Sequence, residues 1–158
     1  MLLLERWISN LIEIRDELIE TLAGMKPEEF TWEPKPGMKS AQNLLLEIVA
    51  GEIYFTSFLS NPDQEFTWDD AYSQIKGEDL PTIIKELEIH RKNTIQLFMQ
   101  YTEEELIKEI KSFNPCRLDQ TYSPEEAMRY LIQHEYYHLG QLIYNRWMLG
   151  YDPNKENK

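Results

Sequence analysis

Cysteine is almost absent from this sequence, which has 158 residues and a single cysteine, Cys116. One cysteine cannot form a disulfide within the chain, so a disulfide framework is excluded. Long apolar runs are also missing, since no stretch reaches the roughly 18 residues that a membrane-spanning helix needs. The opening residues 1–6 carry early charges and lack the basic start of a signal peptide. Together these absences predict a cytoplasmic location.

Basic residues are few, because 16 lysines and arginines stand against 28 aspartates and glutamates, for a formal charge of −12. Such an acidic surface repels phosphate backbones, and no basic cluster reverses the sign locally. Neither nucleic acid nor an anionic membrane surface is expected as a partner. The length and the 42% apolar content fit a globular protein. We predict one domain over residues 1–150 and a polar tail over residues 151–158.

Apolar residues recur at helical spacing in four long stretches, and proline, glycine and asparagine separate them. The predicted long helices cover about residues 2–23, 41–60, 80–101 and 124–149. Ser40 is a suitable N-cap for the second helix, and Ser123-Pro124-Glu125-Glu126 supplies a cap, a first-turn proline and a capping-box glutamate for the last. Amphipathic helices of this length bury their stripes most simply as an all-α four-helix bundle.

The segments between these helices are predicted to have less regular structure. A short helix is expected over about 68–76, and residues 102–105 resemble another helix start. The proline-rich segment 24–39 is expected to be extended, and 109–121 to be irregular or partly extended.

The most informative residues are two histidines of the last predicted helix, His134 and His138. Four positions on an α-helix place two side chains on one face, about one turn apart. They lie within the apolar stripe, where unpaired imidazoles would be costly and one shared metal ion removes the cost. Each ring could instead bond to a tyrosine or a carbonyl of the core. The spacing leaves both interpretations open.

The same residues match His-Glu-x-x-His, the zinc metallopeptidase signature, in which Glu135 is the prospective general base. The only carboxylates after His138, those of Asp152 and Glu156, lie in the polar tail. No clear strand precedes the helix to align a peptide substrate. A peptidase is therefore disfavoured, although Glu135 stays a candidate catalytic residue.

The stretch from Ser123 to Leu142 resembles the last helix of the DinB-like family, also called the DinB/YfiT-like family. In that family two histidines four positions apart are followed by x-Gly-Gln, as His138 is here by Leu139-Gly140-Gln141. Residues 32–46 look like the family's Pro/Gly approach to a capped second helix. The resemblance covers nearly the whole chain in helix order and length, and it implies a four-helix bundle.

The resemblance also implies a metal site, in which a second-helix histidine joins the two last-helix histidines to hold Zn²⁺, Ni²⁺ or a similar ion. Glu47 stands where the family usually has that histidine, and a carboxylate can replace an imidazole as a ligand. We therefore predict Glu47, His134 and His138 as the metal ligands. The exchange could equally mean that the site has been lost.

Glu52 competes with Glu47 for the third ligand position, because helical periodicity places Glu52 inside the apolar stripe and Glu47 at its edge. If Glu47 is the ligand, Glu52 becomes a candidate catalytic residue close behind the ligands. It could also form an ion pair with a core-facing arginine such as Arg15 or Arg91.

Two other reactive side chains, those of His90 and Cys116, could have either a functional or a purely structural role. His90 could be a fourth ligand or a proton shuttle, or a structural histidine of the third long helix. Cys116 follows a proline and precedes Arg117, which could lower the pKa of its thiol. A lone loop cysteine is more often incidental.

Two imidazoles and one carboxylate leave a metal position open, as in catalytic sites. From the resemblance we expect a metal-dependent enzyme that acts on a small molecule, either a hydrolase or a transferase of a low-molecular-weight thiol, with thiol transfer slightly favoured. The alternative is a non-catalytic bundle with a vestigial site that binds a small molecule or a partner protein. The resemblance also raises a homodimer as a candidate assembly.

Overall fold

A computed structural model of the protein describes residues 2–110 and 121–151. Within these residues the chain forms helices and no named strand, and a single isolated antiparallel bridge joins Ile110 to Tyr122. The helices are α1 (Leu3–Leu22), α2 (Pro27–Thr31), α3 (Ala41–Ser60), α4 (Trp68–Ser73), α5 (Leu80–Phe98), α6 (Glu103–Leu106) and α7 (Pro124–Met148). The four long helices are those predicted from periodicity, and α3 packs against both α5 and α7 while α1 packs against α7.

Local sequence signals set the ends of these long helices. The Ser40 hydroxyl accepts a hydrogen bond at 3.3 Å from the backbone N–H three residues along. Ser123 and Glu126 form the predicted capping box, with bonds of 3.2 and 2.8 Å. Gly24 and Gly150, just after α1 and α7, have φ of 68° and 85°, where residues with a Cβ are strained. Both predicted N-caps are therefore confirmed.

One sequence-based expectation is wrong, because segment 24–39 is not extended throughout and contains helix α2. Pro27 occupies the first turn, where its missing N–H costs nothing and its fixed φ suits a helix. Glu29 bonds back to the Lys26 backbone N–H at 3.4 Å, and Phe30 anchors the turn with only 6% of its surface exposed. A proline that usually breaks helices begins one here.

The apolar core consists of two clusters of buried side chains. The larger includes Leu18, Leu45, Val49, Leu87 and Leu139. The smaller includes Leu11, Phe58, Phe98, Leu106 and Met128. Each such side chain contributes on the order of 1.5–3 kcal/mol when fully buried. No helix in the described part of the chain is both long and apolar enough to span a membrane.

Candidate functional site

Four buried charged side chains form one network, and each long helix contributes one of them. These four, hereafter the buried ion quartet, are Arg15 of α1, Glu52 of α3, Arg91 of α5 and Glu135 of α7, each at most 5% exposed. Arg15 donates to Glu52 at 2.8 Å and to Glu135 at 2.6 Å. Arg91 donates to Glu52 at 2.8 Å and also to Glu135. The quartet therefore ties all four helices together at one level of the bundle.

Every carboxylate oxygen of the quartet accepts from an arginine. Both oxygens of Glu52 and both of Glu135 have such a donor. Each guanidinium also reaches a backbone carbonyl, Arg15 that of Leu87 and Arg91 that of Leu11. Burial alone would raise the pKa of Glu52, but the charges of Arg91 and Arg15 outweigh burial and lower it to about 2. The quartet is neutral overall and satisfied.

The two carboxylates predicted to be catalytic, Glu52 and Glu135, both lie in this quartet. Periodicity placed Glu52 inside the apolar stripe, and its side chain is 1% exposed. Of the alternatives for Glu52, the ion pair with core-facing arginines is the one that the structure shows. A catalytic role for either residue stays a prediction, and their contacts are those of a structural network.

The three predicted metal ligands meet on the α3–α7 side of the bundle. The Nε2 atoms of His134 and His138 lie 3.0 Å apart, with the two ring planes at 88°. The Glu47 Oε2 atom lies 3.3 Å from the Nε2 atom of His138. His138 is buried, at 4% exposure, whereas His134 is partly exposed. Side chains from two helices thus bring two imidazoles and one carboxylate together.

Hydrogen bonding and burial prepare these imidazoles as ligands. The Nδ1 of His138 lies 2.8 Å from the Gln141 side-chain oxygen, a contact that favours the tautomer with the proton on Nδ1 and the lone pair on Nε2. Burial and the neighbouring His138 lower the pKa of His134 to about 4. Burial also lowers the pKa of His138, against the opposing effects of Gln141 and Glu47. Both rings are therefore neutral at neutral pH, the form that binds metals.

A glycine makes room for the first imidazole. A Cβ on Gly51 of α3 would lie 2.9 Å from the Cε1 atom of His134, closer than side chains tolerate. Tyr130 stacks on the same ring at 5.8 Å between centroids, and Trp68 of α4 lies 6.2 Å away. None of these three residues was predicted as part of the site. An isolated glycine within a helical pattern was the one available signal, since such a glycine weakens the helix and can have a packing reason.

Lys39, also not predicted as part of the site, contacts Glu47 on the side away from His138. Its ammonium donates to Glu47 Oε1, so the two oxygens of Glu47 face Lys39 and His138 respectively. The Asn145 amide of α7 donates to the Lys39 backbone carbonyl at 3.0 Å and fixes the loop before α3. Lys39 thus occupies the position in which a metal ligand is usually oriented by a further hydrogen bond.

Two of the three separations between these donor atoms match those around a divalent ion. Metal–ligand distances of about 2.0–2.2 Å at tetrahedral or octahedral angles separate neighbouring ligand atoms by about 2.8–3.6 Å. The observed separations of 3.0 Å between the histidines and 3.3 Å from His138 to Glu47 lie in that range. Within residues 2–110 and 121–151, no three histidine, cysteine, aspartate or glutamate side chains are already arranged to hold a metal ion.

The family model of the DinB superfamily matches residues 10–142. The protein belongs to the DinB superfamily. This membership, together with the helix arrangement, confirms the predicted family resemblance and the four-helix bundle. No curated protein matches the sequence.

Solved structures with the same fold cover nearly all of this DinB-superfamily chain. YfiT from Bacillus subtilis, described as a probable metal-dependent hydrolase with an unusual four-helix bundle topology, has a TM-score of 0.71 and 15% identity, over 94% of this chain and 89% of that chain. A DinB-like protein of Bacillus subtilis, YjoA, has a TM-score of 0.68 and 18% identity, over 93% and 94%. A conserved protein from Enterococcus faecalis has a TM-score of 0.65 and 20% identity, over 96% and 99%. At these identities the likeness establishes the fold alone.

A cleft of about 320 Å³ opens beside His138 in this DinB-superfamily protein. Its walls come from the loop before α3 and from α3 and α7. The lining residues are Gly37, Met38, Lys39, Leu44, Tyr137, His138, Gln141, Tyr144 and Asn145. The cleft gives a small molecule access to the imidazole that lies closest to Glu47.

The remaining sequence candidates do not join this site in the described residues. The His90 Nε2 atom lies 3.4 Å from Glu86 Oε2 on the same helix, an ordinary structural pairing. Cys116, Arg117, Asp152 and Glu156 lie outside the described residues.

Proposed function

We propose that this protein is a metal-dependent enzyme that acts on a small molecule, with Glu47, His134 and His138 as the metal ligands. The observation that carries the proposal is the meeting of these three donors, at 3.0 and 3.3 Å, beside a cleft that admits a small molecule. The neutral state of both imidazoles supports it, because a protonated ring cannot bind a metal. Membership of the DinB superfamily and the description of YfiT agree with a metal-dependent activity.

Each residue around the ligands has a defined task in this proposal. Gln141 holds the tautomer of His138, and Lys39 holds the free oxygen of Glu47. Gly51 leaves space for the ring of His134. A divalent ion held there would lower the pKa of water or of a thiol at its open position and so supply a nucleophile at neutral pH.

Hydrolysis is the first reaction class to test, since YfiT is described as a probable metal-dependent hydrolase. Transfer of a low-molecular-weight thiol is the second, and one observation favours it. Hydrolysis ordinarily uses a general base beside the nucleophile. Glu135, predicted as the general base, and Glu52, the other predicted catalytic carboxylate, are already bonded to arginines. A thiol that binds a metal loses its proton without such a base.

Metal analysis is the first experiment. Protein purified without added metal should contain about one equivalent of a divalent ion, and His138→Ala should lower the affinity for Zn²⁺ by more than about 100-fold. Glu47→Gln should lower it as well, whereas Glu65→Gln, at an exposed glutamate, is the matched control and should not.

Activity assays then separate the reaction classes. Ester and amide hydrolysis, and conjugation of small thiols to electrophiles, are measured with the metal-loaded protein and its His138→Ala variant. Metal-dependent turnover in one panel assigns the class. A metal-free protein whose histidine variants behave like the wild type would instead support the non-catalytic alternative.

A further inference from the structure

The cleft beside His138 has an unusual charge for this protein. The chain carries 28 acidic residues, yet none of the residues that line the cleft is an aspartate or a glutamate. Lys39 is the one lysine or arginine among those lining residues. The protein is thus strongly acidic overall, while the lining of the candidate substrate cleft carries no acidic residue and one lysine, which is paired with Glu47.

The backbone of Lys39 is fixed by contacts on both sides. Its backbone carbonyl accepts from Asn145 at 3.0 Å, and Asn145 is only 6% exposed. The next residue, Ser40, is the buried N-cap of α3. The Lys39 side chain is 48% exposed, its ammonium contacts Glu47, and the residue lines the cleft. Its position is therefore set by α7 and by the start of α3 together.

A charge count shows what this position favours. Without a metal ion, the Lys39 ammonium and the Glu47 carboxylate cancel, and the two histidines are neutral. A divalent ion on Glu47, His134 and His138 adds two positive charges that no acidic group of the cleft lining offsets. Such an uncompensated charge in a partly enclosed cleft attracts anions strongly.

The chemistry of the other lining residues indicates what the rest of the ligand is like. Met38 and Leu44 are apolar, and the rings of Tyr137 and Tyr144 offer flat apolar faces with hydroxyls at their edges. The volume of about 320 Å³ suits a small molecule and not a polymer. We propose, resting on the proposed metal-dependent function, that the substrate is a small carboxylate with an apolar body, and that Lys39 is the residue that selects its anionic group.

Binding of a matched pair of probes tests this proposal without relying on catalysis. The probes are 3-phenylpropanoate and its uncharged amide, 3-phenylpropanamide, which have nearly the same shape. Their dissociation constants are measured by NMR titration of Zn²⁺-loaded wild type, Lys39→Met, Lys39→Arg and Lys35→Met. Lys35 is an exposed lysine of the same loop that does not line the cleft, so Lys35→Met is the matched control. The zinc content of each sample is determined first.

Wild type should bind the carboxylate about tenfold more tightly than the amide, as expected for a hydrogen bond to a charged group. At a zinc concentration that saturates each variant, Lys39→Met should bind the carboxylate several-fold more weakly than wild type and the amide with unchanged affinity, and the preference that remains is due to the metal charge. Lys39→Arg and Lys35→Met should keep the wild-type preference. A zinc-loaded Lys39→Met that keeps the full wild-type preference, or a zinc-loaded wild type without one, overturns the inference alone. A wild type that binds no zinc overturns the proposed function, and the inference with it.

Discussion

Two polar clusters share helix α7, and they differ in how completely their groups are satisfied. Glu135 belongs to the buried ion quartet, in which each carboxylate oxygen has an arginine donor. Its neighbour His134 belongs to the predicted-ligand cluster of Glu47, His134 and His138, in which the histidine Nε2 atoms face each other and Glu47 is shared with Lys39. Each residue of the quartet is at most 5% exposed, whereas the predicted-ligand cluster borders a cleft. Complete pairing at full burial serves the fold, and incomplete pairing beside a cleft leaves groups available to a ligand.

The sharpest way to break this comparison is to remove a charge from the quartet. Glu135→Gln leaves two buried guanidinium groups with one carboxylate, and breaking such a buried pair costs about 3–5 kcal/mol. Chemical denaturation of the metal-free protein measures the loss. His134→Ala, one residue away, is the control and should cost less than about 1.5 kcal/mol. Equal losses from the two variants would show that the clusters do not differ in this way.

The pH dependence of stability separates the clusters next. The pKa of His134 is about 4 in the folded protein against 6.5 as its ordinary value. Between these values the unfolded chain binds a proton that the folded chain does not, so stability falls as the pH drops from 6.5 to 4 and is level above 6.5. The full effect would be 1.36 kcal/mol for each unit of the pKa shift. Because the ring is partly exposed, we expect a smaller total loss of stability, about 2 kcal/mol.

The quartet should respond in a lower pH range. The folded pKa of Glu52 is about 2 against 4.5, so its contribution is present above pH 4.5 and is lost as the pH falls towards 2. Denaturation of metal-free wild type and His134→Ala at a series of pH values tests both windows. The stability of the variant should change less than that of wild type between pH 6.5 and 4. Below pH 4 the stability of both proteins should decline. An unchanged slope in the upper window would contradict the assignment.

A smaller effect is expected from Gly51→Ala. The added methyl group would lie 2.9 Å from His134, and the displaced ring should lower Zn²⁺ affinity about tenfold, or about 1.4 kcal/mol. Gly140→Ala in α7 is the matched control, since its Cβ would meet nothing within 4 Å. It should leave the affinity unchanged and stabilise the helix by about 1 kcal/mol. Calorimetric zinc titrations compare them, and equal affinities for both variants would count against a close fit at His134.

The choice between Glu47 and Glu52 shows where sequence reasoning reached its limit. A helical wheel assumes one buried face, but α3 packs against α5, α7 and α4 and buries residues around most of its circumference. The burial of Glu52 followed from periodicity, and its two arginine partners were named among the alternatives. That Glu47, at the edge of the stripe, is the carboxylate facing His138 depends on how α3 and α7 are rotated against each other.

Some of the sequence signals are local, and these were sufficient for the helices. Caps such as Ser40 and Ser123, and the glycines after α1 and α7, act within one or two turns of the chain, so the sequence alone determined the four long helices and the face that carries both histidines. Contacts between distant segments followed other rules. Residues from different elements meet in three places: in the quartet, in the Lys39–Glu47 pair, and where Gly51 leaves room for His134. Only the tertiary structure decided them, because they depend on distances between helices that no spacing along the chain encodes.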